Sequence, residues 1–134
     1  MKFFPPVFFL TAFVLFTRVS AGTFASPTAG QTISSTGPFN LTWTSDKYFK
    51  QNSFNISVLL SQSPFTSVLS GVTLIEGLVS PDYGIKTYSA ELTPRFFYGD
   101  SRTGAFDVVI IEPYSAYGGP QYATDLWIQT VNIV

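Results

Sequence analysis

Phe39-Asn40-Leu41-Thr42-Trp43-Thr44 places every large apolar side chain in one phase and every polar one in the other. This period of two constrains the fold more than any other feature of the chain. Successive side chains of an extended strand point to opposite faces, so the pattern describes a strand with one buried face. The pattern recurs at Phe54, Ile56, Val58 and Leu60, with Asn55 and Ser57 opposite. It recurs again at Phe106, Val108 and Ile110. Three further apolar stretches, Val72 to Val79, Ile85 to Leu92 and Leu126 to Val134, carry the same β-branched and aromatic bias. Turn residues separate them at Gly30, Gly37-Pro38, Ser63-Pro64, Pro81-Asp82, Gly99-Asp100 and Gly118-Gly119-Pro120. No window shows a helical stripe, and strands do not alternate with helices. The expected fold is all-β: one antiparallel sandwich of about seven strands.

The N-terminus is read separately. Lys2, the apolar run Val7 to Phe16 broken only by Thr11, and the small-residue pattern Val19-Ser20-Ala21 describe a secretory signal peptide over residues 1–21. The run falls short of the roughly 20 apolar residues that span a bilayer. Cleavage after Ala21 is expected to leave one domain, residues 22–134, secreted and with no membrane attachment.

That domain must hold together without disulfides, because the chain has no Cys. After residue 21, five basic residues (Lys47, Lys50, Lys86, Arg95, Arg102) face eight acidic ones. This acidic balance, with no basic run, argues against nucleic acid or an anionic membrane as partner. There is no His either. A Ser-His-Asp triad or Cys-His pair is therefore impossible, and zinc or copper sites are not expected. No nucleophile elbow or phosphate-binding loop occurs. No cofactor and no metal are expected.

Glycosidases need only two carboxylates. Asp82, Asp100, Asp107, Glu112 and Asp125 lie near turns or strand ends, with no local motif pairing them. A non-enzymatic protein is the expectation, with a carboxylate-based glycoside hydrolase as an alternative. Asn40-Leu41-Thr42 and Asn55-Ile56-Ser57 match the N-glycosylation pattern, and both Asn residues take the polar phase, where a glycan would leave the core intact.

Recognition is expected from aromatics. Phe96-Phe97-Tyr98 cannot all face one core, so at least one ring points outward. Tyr114, Tyr117 and Tyr122 surround the Gly118-Gly119-Pro120 turn. Loop tyrosines can stack on sugar rings or anchor a protein partner, and they can equally cover the ends of a sandwich. Trp43, in phase with Phe39 and Leu41, is expected in the core.

The segment Pro27-Thr28-Ala29-Gly30-Gln31-Thr32-Ile33, then Gly37, a strand ending Trp43-Thr44-Ser45, and Val58-Leu59-Leu60 carry a resemblance. Over residues 24 to 60 the chain resembles the N-terminal Ig/fibronectin III-like domain of fungal cell-wall Ser/Thr-rich GPI-anchored surface proteins. It is also similar to small secreted proteins of mushroom-forming fungi. The resemblance implies a fungal, extracellular, non-enzymatic Ig-like sandwich; a monomer that takes cell-wall polysaccharide or an extracellular protein through its loop aromatics is expected. A small secreted effector acting on a host or competitor is an alternative. The Ser/Thr-rich stalk and GPI signal of the larger relatives have no counterpart before Val134, so release rather than anchoring is expected.

Overall fold

The strand pattern closes into two facing sheets. A computed structural model of the chain describes residues 22–47, 51–97, 101–116 and 122–134. Nine strands follow in order: β1 (Thr23–Ser26), β2 (Thr32–Ile33), β3 (Phe39–Thr44), β4 (Gln51–Ser53), β5 (Ile56–Gln62), β6 (Gly71–Leu78), β7 (Thr87–Leu92), β8 (Gly104–Ala116) and β9 (Tyr122–Ile133). A single 3-10 turn, Val68–Ser70, precedes β6, and no α-helix occurs among the described residues. One sheet has the order β1-β3-β7. The other runs β2-β9-β8-β5-β6, with β4 paired to β8.

Alternation decides which side chains meet. In the small sheet Phe39 pairs with Leu92, Leu41 with Ala90, and Trp43 with Tyr88, so one face collects the apolar residues of both strands. Ile56, Val58 and Leu60 of β5, Phe106, Val108 and Ile110 of β8, and Val131 and Ile133 of β9 supply the opposing face. Trp43, Tyr88, Val58, Val108 and Ile110 are fully buried. Burying one such side chain is worth about 1.5–3 kcal/mol, which is how a chain without Cys assembles a core.

Three expectations change. The sandwich is not wholly antiparallel, because β2 pairs parallel to the end of β9, with Thr32 opposite Asn132 and Ile33 opposite Ile133. Nine strands replace about seven, since β1, β2 and β4 are too short to show a period. Phe54 is not in the core phase. The chain breaks between β4 and β5, and Phe54 is 37% exposed there.

Candidate functional site

β8 carries an acid into the interior. Glu112 continues the inward phase of Phe106, Val108 and Ile110, and it is completely buried. Its cross-strand neighbour on β9 is Asp125, and Ile110 stands opposite Trp127. The segment after β3 closes over this pair. Ser45 and Lys47 are both buried, and the Ser45 N–H donates to the Lys86 carbonyl at 2.9 Å.

Lys47 lies at the centre of the resulting cluster. Its Nζ is 2.7 Å from Asp46 Oδ1, 2.7 Å from Asp125 Oδ2 and 3.7 Å from Glu112 Oε1. Both Glu112 oxygens take a further donor. Trp127 Nε1 donates to Oε1 at 2.9 Å, and the Ser45 hydroxyl donates to Oε2. The Lys47 N–H donates to Ser45 Oγ at 2.9 Å, which fixes the hydroxyl that faces Glu112. The Lys47 ammonium lies 4.5 Å from the Tyr114 ring centroid and 5.2 Å from that of Trp127, within cation–π range.

Burial pulls the Lys47 ammonium toward the neutral amine. Hydrogen bonds to Asp125 and Asp46 and the charges of Glu112 and Asp46 outweigh that pull and hold it above the ordinary lysine value. Beneath the cluster Trp43 packs against Tyr88, centroids 5.8 Å apart, and against Trp127, 6.1 Å apart. The Tyr88 hydroxyl lies 2.7 Å from Ser53 Oγ and donates to the Phe54 carbonyl. Burial raises Tyr88 above the usual phenol value.

The expected site residues separate. Tyr114 is not a loop residue. It lies within β8, half-buried, and its ring packs under Lys47. Tyr122 opens β9 and is 73% exposed, with its ring 6.0 Å from that of Phe54. Tyr98 and Tyr117 lie outside the described residues, as does Asp100. Asn40 and Asn55 are both exposed, Asn40 in β3 and Asn55 beside Phe54. Of the aromatic triplet, Phe96 packs edge-on against Phe106 at 5.5 Å while Phe97 is 65% exposed.

Asp107 and Asp82 hold neighbouring donors in place. Asp107 is buried and accepts from Thr130 Oγ1 at 2.6 Å and from the Phe65 N–H at 2.9 Å. Asp82 accepts from the Thr87 N–H at 3.0 Å. Among the described residues no group of three or more acids, His or Cys could hold a metal ion. No described helix is long and apolar enough to cross a membrane.

No protein-family model matches the chain, and no curated protein matches it. Among solved structures it is similar to murine CRIg, an Ig-like domain. The TM-score is 0.40 and the identity 7%, over 84% of this chain and 95% of that one. The two sheets and their register define an all-β, Ig-like sandwich without leaning on that likeness.

Proposed function

We propose that this protein is a secreted, non-catalytic binding module of a cell wall or extracellular matrix, taking a glycan or protein partner on the Phe54–Tyr122 face. The observation that carries the reading is the exposed ring pair itself. Phe54 and Tyr122 stand 6.0 Å apart on the surface, fixed by strand ends of one sheet. Two exposed rings, tilted 41° to each other on a rigid frame, present a shallow apolar surface with one hydroxyl, suited to the C–H face of a sugar ring or to a protein anchor. The placement of the acids supports binding over hydrolysis. Glu112 is sealed and its oxygens are occupied, so a substrate cannot reach it. The signal-peptide pattern and the exposed sequon residues Asn40 and Asn55 support secretion. The resemblance to fungal surface proteins supports a wall or matrix setting.

The test is a pull-down of the purified protein on chitin, β-glucan and isolated cell walls, with a glycan array in parallel. Native and de-N-glycosylated samples are compared because Asn55 adjoins Phe54. Retention that disappears in Tyr122→Ala while the fold persists supports the reading. Retention unaffected by Tyr122→Ala and Phe54→Ala, or turnover of any polysaccharide, overturns it.

A further inference from the structure

Among the described residues most charged side chains are at least partly solvated, but Lys47 and Glu112 are buried, with Asp125 at the rim of the same cluster. Lys47 Nζ is 2.7 Å from an oxygen of the Asp125 carboxylate, one bond from the carbon of that group. Glu112 stands directly across β8–β9 from Asp125 and 3.7 Å from the same nitrogen. The Lys47 side chain is 5% exposed and Glu112 is 0% exposed, while the Asp125 side chain is 38% exposed. Tyr114 and Trp127 cover the amine. This is the arrangement an amine, a carboxyl and a proton carrier need in order to condense: contact between the reacting groups, little water, and a route by which a small product can leave.

We propose that Lys47 and Asp125 join through an intramolecular amide bond, with Glu112 as the catalytic proton carrier. Glu112 Oε1, 3.7 Å from the nitrogen, must close to hydrogen-bond distance to take one proton from the ammonium, which frees the nitrogen lone pair to attack Cγ of Asp125. The Nζ–Cγ bond forms and one Cγ–O bond breaks. The departing oxygen leaves as water with two of the three ammonium protons, and the third stays on the amide nitrogen. Ammonium plus carboxylate thus becomes amide plus water, with no change of oxidation state and no co-reactant. The exposed side of Asp125 gives the water its exit.

The surroundings lower the cost of condensing the pair, although the amide leaves Glu112 without its cation. In water, condensing an amine with a carboxylate is unfavourable because both charges are well solvated. Here the Lys47 ammonium has already lost most of its water while Asp125 keeps part of its own, and a neutral amide removes a charge pair whose buried half is costly to desolvate. The carboxylates also hold the ammonium proton tightly. The step is therefore slow at neutral pH and quickens in alkali. Asp46 touches the same nitrogen but is the chain neighbour of Lys47 and has no cross-strand pairing with Glu112. Bonding to Asp125 ties the segment after β3 in one sheet to β9 in the other. In a chain without Cys, that bond crosses the sandwich where a disulfide otherwise could.

Mass spectrometry of the full-length chain from a secretory host decides the matter, whatever the protein binds. After incubation at mildly alkaline pH, a proteolytic digest is expected to contain a branched peptide joining Lys47 to Asp125, lighter by one water than its two arms. Lys47→Arg keeps the charge and should abolish the branch. Asp125→Asn should form the same branch with loss of ammonia instead of water. Glu112→Gln should slow formation about 10²–10⁴-fold, the usual contribution of a positioned proton carrier, with an unchanged circular dichroism spectrum. A wild-type digest with only linear Lys47 and Asp125 peptides leaves a static ion pair and overturns the proposal. So does a branch to Asp46, or a loss of water that persists in Lys47→Arg.

Discussion

The two ends of the sandwich treat charge in opposite ways. At the end where β3 finishes and β9 begins, Lys47 is buried against Asp46, Asp125 and Glu112 beneath aromatic rings. At the other end, where β8 begins and β7 finishes, Arg95 and Arg102 border a cleft of about 200 Å³ floored by Phe96 and Phe106. Both arginines are exposed, and neither makes an ion pair among the described residues. A charge can enter the interior only where fixed partners replace its water, and elsewhere it stays solvated. One end is therefore a locked electrostatic cluster, and the other is an open cleft whose cations cost the fold nothing.

The largest expected effects fall at the locked end. Trp43→Ala removes the ring on which the cluster rests and should cost about 3–5 kcal/mol of stability in denaturant unfolding. An unchanged midpoint would remove Trp43 from the core. Lys47→Ala leaves Glu112 buried without its cation and should also cost about 3–5 kcal/mol. A loss no larger than that from a surface lysine would mean that the cluster contributes nothing to the contrast.

Alkali is the next probe. The folded state holds Lys47 above the ordinary lysine value of 10.5 and Tyr88 above the ordinary phenol value of 10.0. For both groups the fold favours the protonated form. Their contribution is fully present below those values and is lost as pH rises through the folded ones. The unfolding midpoint should stay flat through neutral pH in these two respects and fall above about pH 10. Lys47→Met should flatten part of that fall. An equally steep fall in that variant would exclude Lys47 as a source.

Smaller effects separate surface from core. Tyr122→Ala should weaken capture on walls or a partner by at least about 1 kcal/mol, while its unfolding midpoint moves by no more than about 0.5 kcal/mol. At the open end, Arg95→Ala and Arg102→Ala should each shift stability by less than about 0.5 kcal/mol. A larger loss there would show that the cleft is locked as well.

Much of the sandwich is legible from alternation alone. Phe39, Leu41 and Trp43, and likewise Val58, Leu60, Val108 and Ile110, share a phase in the sequence and a core in the structure. The same rule reaches Glu112, two residues beyond Ile110, and so places an acid inside. Reading it as a strand-end carboxylate misses that signal, because β8 runs on to Ala116. The partners of Glu112 could not be read the same way. Ser45 lies 67 residues from it, and Lys47 lies 78 residues from Asp125. Such contacts follow from sheet register, not from local pattern. Tyr114 lies inside β8 for the same reason as Glu112, and Phe54 leaves the core phase because one irregular step between β4 and β5 rotates it outward. Two-residue β2 has no period at all, since its pairing is made by the backbone.

That backbone pairing has a mechanical consequence. β2 leads back toward the start of the domain and the partner strand β9 leads to its end, and the two run in the same direction. The Gly30 N–H reaches the Thr130 carbonyl at 2.8 Å. Asn132 N–H reaches Gln31, Val134 N–H reaches Ile33, and Ser35 N–H reaches Val134, each at 2.9 Å. Tension applied between the two ends of the domain, once it reaches β2, pulls these strands along their axes in opposite senses. The bonds then lie across the line of shear and must be stretched together, whereas the strands of a hairpin pulled from its open end would unzip one bond at a time.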